Sequence, residues 1–114
     1  MKWLGDGVMF YFRDPEAAVL AAVEMVEVVG SQELPPAHVG IHAGPVILQD
    51  GDYFGRTVNL AARIAEYARP GEVLVSQEVV DAADAGPVTF TEIGPVELKG
   101  VPRTLLLYIA RRDA

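Results

Sequence analysis

Hydrophobic and polar positions change period several times along the chain, and each change marks a new element. Residues 7–12 (GVMFYF) form a β-prone run behind the turn signal Gly5-Asp6-Gly7, which pairs them with a preceding strand ending in Lys2-Trp3-Leu4. Asp14-Pro15-Glu16 reads as a helix start. Asp14 can accept bonds from free N–H groups, Pro15 suits the first helical position, and Glu16 complements the positive helix end. Ala18, Leu20, Ala21, Val23, Met25 and Val28 carry that helix to about residue 29, where Gly30 stops it, with Glu24 and Glu27 on the wetter side. A polar loop ending at Pro36 leads into two strands, 37–43 and 45–49, which the break at Gly44 predicts as a hairpin.

Residues 50–56 (DGDYFGR) read as a Gly- and Asp-rich loop. The spacing of Leu60, Ala61, Ile64 and Ala65 predicts a helix over 57–67, ended by Pro70-Gly71. A buried-type strand over 72–76, a short helix over 77–83 and strands over 88–93, 96–98 and 105–110 complete the chain. The order β-α-β-β-α-β-α-β-β predicts an α+β fold, with a mixed, largely antiparallel sheet and helices on one face.

Composition narrows the class. The 114 residues, 51% of them hydrophobic, suffice for one compact domain over 1–114 and one core. The mean hydropathy of +0.25 comes from Ala and Val spread along the chain. No apolar run reaches the roughly 18 residues of a membrane span. With no tripartite leader at the start and no Cys, a cytoplasmic location is the default expectation, and disulfide or thiolate–metal chemistry is excluded. A formal net charge of −7 and a pI near 4.6 disfavour nucleic-acid binding, which needs clustered cations to displace counterions. Lys2, Arg56, Arg63 and Lys99 stand out because each falls beside a turn or motif residue.

Three segments then share one pattern: Lys2-Trp3-Leu4-Gly5-Asp6-Gly7, the run from Asp52 through Gly55-Arg56-Thr57-Val58-Asn59-Leu60-Ala61-Ala62-Arg63, and Glu97-Leu98-Lys99-Gly100. Together they make the chain resemble a class III nucleotidyl cyclase catalytic domain. The resemblance covers nearly all of its length and implies a ferredoxin-like α+β fold. Asn59 and Arg63, four apart on one helix, point the same way. In the family such a pair is catalytic: the Asn orients the ribose and the Arg opposes the charge that develops on the α-phosphate as the 3′-oxygen attacks. Lys2 and Asp52 match the family's adenine-recognising pair, a cationic donor for N1 beside an anionic acceptor for N6, which implies ATP as substrate. Guanylyl cyclases typically carry Glu and a small polar residue at those positions, so guanylyl cyclase is the runner-up. Lys99 resembles the late lysine that contacts the triphosphate.

Asp6 matches the second of two metal-binding aspartates, and the family uses two Mg²⁺ or Mn²⁺ ions held by carboxylates and substrate phosphates. The strand that bears the first aspartate has no counterpart in the sequence. With its helices and connections that segment would occupy about 40 residues, so the domain is expected to be incomplete and inactive by itself. Family members place the active site between two catalytic domains, which implies a homodimer or a partner cyclase domain. This chain would supply Lys2, Asp52, Asn59, Arg63 and Lys99, and its partner the metal aspartates. The rival reading is a non-catalytic cyclase-like module that binds nucleotide or a partner; a more remote one is an unrelated ferredoxin-like scaffold. His38 and His42 flank Gly40 in a run shared with the family; His42 reads as a packed or hydrogen-bonded histidine, and no third ligand has zinc spacing.

Overall fold

The computed structural model describes residues 2–4, 7–9, 14–31, 37–44, 47–49, 52–83 and 88–112. Strands β1 (Lys2–Leu4) and β2 (Gly7–Met9) pair antiparallel with Trp3 opposite Val8, as the turn signal between them requires. Residues 10–12 of the anticipated longer strand lie outside the described residues. Helix α1 (Pro15–Ser31) opens as its sequence dictates, the Glu16 backbone N–H donating to Asp14 Oδ1 at 3.0 Å. It runs two residues past the expected end.

Strand β3 (Val39–Ile41) corrects the hairpin expectation. It pairs parallel with β6 (Val73–Ser76), Gly40 opposite Leu74, whereas β4 (Ile47–Gln49) pairs antiparallel with β5 (Asp52–Phe54), inside the segment read as loop. Part of the Asp- and Gly-rich stretch is therefore strand, and Asp52 lies opposite Gln49 in the β4–β5 pair. Helix α2 (Arg56–Tyr67) follows, and its last turn gives way to extended backbone at Ala68, two residues before Pro70. Helix α3 (Gln77–Ala82) and the long antiparallel pair β7 (Val88–Glu97) and β8 (Thr104–Arg112) complete a four-stranded sheet in the order β3-β6-β8-β7.

The sheet is covered on both faces, not one. Val73 and Val75 of β6 pack with Val19, Ala22 and Val23 of α1 and Val79 of α3, while Leu74 packs with Leu60 and Ile64 of α2 and with Ala68 just past its end. The run Val73-Leu74-Val75 has no polar alternation because both sides of this central strand are buried, and that pattern signals two covered faces. β7 serves both cores by a bulge between Glu92 and Gly94, where Gly94 adopts φ 102°. Before it Val88 joins the α1 core, and after it Val96 joins the α2 core. Strands 88–93 and 96–98, expected as separate, are one bent strand.

Helix α2 sits unusually close to β3. A Cβ placed on Gly40 would lie 2.2 Å from the Ala65 backbone nitrogen and 2.7 Å from the Ala61 carbonyl oxygen, so only glycine admits this contact. At the entrance to the strand, His38 Nδ1 donates to the Ala65 carbonyl at 2.7 Å. Together they fix the helix that carries Asn59 and Arg63.

Candidate active site

The first two turns of α2 and the segment 100–103 between β7 and β8 enclose a cleft of about 820 Å³. Its lining includes Gly55, Arg56, Asn59, Arg63 and Glu66 on the helix side and Gly100 through Arg103 on the other. Asn59 and Arg63 are both exposed on α2, one turn apart, while Leu60 and Ile64 between and beside them are buried against the sheet. The sequence VNLAAR thus turns its apolar positions inward and leaves its Asn and Arg facing the cleft.

Arg63 is not idle. Its Nη1 donates to both carboxylate oxygens of Glu66, at 3.0 and 3.3 Å, in an exposed pair three residues apart. On the far wall Arg103 Nη2 lies 3.5 Å from Glu78 Oε2, the acidic residue in the first turn of α3. Beneath this wall His42 Nδ1 shares a hydrogen bond of 2.8 Å with the hydroxyl of Ser76. Ser76 is buried at the α3 N-cap, yet its side chain makes no capping bond, being turned toward His42 instead. Burial holds the His42 pKa below the ordinary histidine value, with Glu78 pulling it upward and Arg103 pushing it further down.

The other sequence-derived candidates fall in different places. Asp52 is on β5, which packs alongside α2, so the fold brings the strand of Asp52 to the helix of Asn59 and Arg63. Lys2 is on β1, which among the described residues pairs with β2 and with no strand of the four-stranded sheet or of the β4–β5 pair. Lys99 is exposed in the turn after β7, outside the lining of the cleft. Asp6 lies outside the described residues. Among the described residues no group of three His, Asp or Glu side chains could hold a metal ion. Sequence reasoning missed Arg103 and Glu66. Glu66 had a readable signal, an acid three residues after an arginine on one helix face; Arg103 had none beyond its place four residues past Lys99.

The chain matches the family described as the adenylate and guanylate cyclase catalytic domain over residues 15–111. It belongs to that family. The cyclase domain is 34% identical to a pH-sensitive adenylate cyclase of Mycobacterium tuberculosis, over all of this chain and 30% of that protein. It is 42% identical to an adenylate cyclase of Streptomyces griseus over 66% of this chain and 19% of the relative. The crystal structure of an adenylate/guanylate cyclase/hydrolase from Silicibacter pomeroyi superposes with a TM-score of 0.66 at 28% identity, covering 90% of this chain and 66% of that one. The cyclase domain thus spans less than a third of the length of these two relatives. Its open, mixed four-stranded sheet is the class III catalytic fold. Among the described residues no helix is long and apolar enough to cross a membrane.

Proposed function

We propose that the domain is one side of an adenylyl cyclase site that converts ATP to 3′,5′-cyclic AMP and pyrophosphate. The observation that supports this best is the joint presentation of Asn59 and Arg63 into one cleft large enough for a nucleotide. In the reaction the ribose 3′-oxygen gives up its proton to solvent water and bonds to the α-phosphorus. The bond from that phosphorus to the bridging oxygen breaks, and pyrophosphate leaves with the electron pair. Asn59 would hold the ribose so that its 3′-oxygen lies in line with the departing group. Arg63, after exchanging Glu66 for phosphate oxygens, would stabilise the charge that builds on the α-phosphoryl group and the leaving oxygen. Lys2 and Asp52 are proposed to select adenine, a reading favoured by relatives named as adenylate cyclases. Lys99 is proposed as a further contact to the triphosphate, from the turn after β7. Asp6 is proposed as a metal-binding carboxylate, with Mg²⁺ or Mn²⁺ as the ions.

A second catalytic domain completes the site in this reading, as a homodimer or a partner cyclase. The test is complementation. The 114-residue chain is mixed with a complete adenylyl cyclase domain whose own transition-state arginine has been replaced by Ala. Cyclic AMP synthesis is expected to appear in the mixture and not in either component alone. Arg63→Ala in this chain should then remove it, at a cost of about 3–4 kcal/mol by analogy with losing an oxyanion donor. Physical association without rescue would refute the catalytic reading and leave a cyclase-like binding module.

A further inference from the structure

Two guanidiniums that line the cleft, those of Arg56 and Arg103, have no assigned part in the chemistry. We propose that Arg103 contacts the substrate and binds the polyphosphate tail of the nucleotide, at the place the sequence pattern offers to Lys99. This rests on the cyclase reading and extends it to a residue outside the three matching segments. Arg103 lines the cleft that holds Asn59 and Arg63; Lys99 does not. Among the described residues of the lining, Arg56, Arg63 and Arg103 are cationic and Glu66 is anionic, a local excess of positive charge in a chain whose net charge is −7. Such an excess within an acidic protein attracts a compact polyanion.

The surroundings of Arg103 also suit phosphate. Glu78 engages one terminal nitrogen at 3.5 Å, which orients the guanidinium while leaving most of its five N–H donors for a second acceptor. A planar fork of that kind meets two phosphate oxygens at once, which a lysine cannot do. The start of α2 contributes in the same direction. Gly55 at its N-cap makes no side-chain capping bond, and Gly55 and Arg56 both line the cleft, so the positive end of the helix faces the same space. Arg103 would then share the β- and γ-phosphates with that helix end, and hold pyrophosphate as it departs from the α-phosphorus that Arg63 attends.

Calorimetric titration of the full chain with inorganic tripolyphosphate at low ionic strength tests this without requiring turnover. Wild type, Arg103→Gln, Arg103→Lys, Arg63→Gln and Glu78→Gln are compared, each checked by thermal melting. Arg103→Gln should weaken binding about tenfold or more, the loss of one charge-assisted contact, and Arg103→Lys should fall between it and wild type. Glu78→Gln should keep binding, since it breaks the ion pair but leaves the guanidinium in place. Loss of binding in Glu78→Gln as large as in Arg103→Gln would reduce Arg103 to a structural partner and overturn the proposal. Binding lost with Arg63→Gln but retained with Arg103→Gln overturns it too, and spares the cyclase reading. Absence of binding in the wild type, or indifference to both arginines, overturns the two together.

Discussion

Replacing Gly40 by Ala should be far more damaging than its one added methyl group suggests. The new Cβ would meet three backbone atoms of α2, at 2.2 Å from Ala65 N, 2.7 Å from Ala61 O and 2.7 Å from Ala65 Cα. Ordinary contact begins at 3.4 Å, so the helix must retreat by 1.2 Å, the difference between 3.4 and 2.2. None of these atoms can swing aside, which places the cost at the upper end of the overpacking range, about 3 kcal/mol. At about 4–8 °C per kcal/mol for a domain near this size, the melting temperature should fall by roughly 12–24 °C. The retreat also strains the His38 bond to the Ala65 carbonyl and moves Asn59 and Arg63 together, and a displacement near 1 Å costs about 100-fold in rate at a positioned site. The assay is thermal unfolding followed by circular dichroism, with complementation measured below the variant's melting point. Gly44→Ala is the control. Its Cβ would meet the Thr57 side chain, the hydroxyl at 2.7 Å, and no backbone atom of α2 as closely, so its cost should be clearly smaller than that of Gly40→Ala. A Gly40→Ala protein that melts with the wild type, or a Gly44→Ala protein equally destabilised, would refute the reasoning.

Three other expectations follow from the cleft and its supports. Glu66→Gln releases Arg63 from an exposed helical ion pair worth about 0.5 kcal/mol, so the apparent KM for ATP in the complementing mixture should fall by no more than about twofold with stability nearly unchanged; a tenfold loss of rate would instead make Glu66 an orienting contact. His42 has a folded-state pKa below its unfolded value, so its neutral form contributes stability that is complete above about pH 6.5 and is lost as the pH falls through the folded pKa. His42→Gln should therefore lose less stability than wild type in urea unfolding between pH 7.5 and 5.5, and equal losses would contradict the assignment. Exchanging Lys2 for Glu and Asp52 for Ser should lower ATP turnover in the mixture by at least about 100-fold and raise that of GTP, because the base edge would face groups of the wrong donor pattern; an unchanged preference for ATP would remove both residues from base selection.

How much of this was readable in advance depends on the range of the forces involved. Asp14, Pro15 and Glu16 placed the start of α1 because capping is a local transaction between neighbours. The spacing of Leu60 and Ile64 placed α2 and, with it, the outward direction of Asn59 and Arg63. Pairing partners were not readable. Gly44 interrupts two β-prone runs whether they form a hairpin or, as here, separate into different sheets, and only tertiary context decides. The two-sided burial of β6 was present in its unbroken Val73-Leu74-Val75 run but was read as one covered face. Arg103 and Glu78 escaped notice because their meeting is set by the return of β8 to the sheet, which no short motif encodes.

The bulge in β7 makes Ile93 the residue this strand can most readily lose. It is 39% exposed and is a member of neither buried core. The ladder already steps from Glu92 opposite Tyr108 to Gly94 opposite Leu107, so a chain without Ile93 would join those positions directly and keep Val96 opposite Leu105, on the α2 side. Val88 and Val96, an even number of residues apart, serve opposite cores because Ile93 is counted between them without being paired. In this strand a residue's place in the chain and its place in the ladder are different numbers.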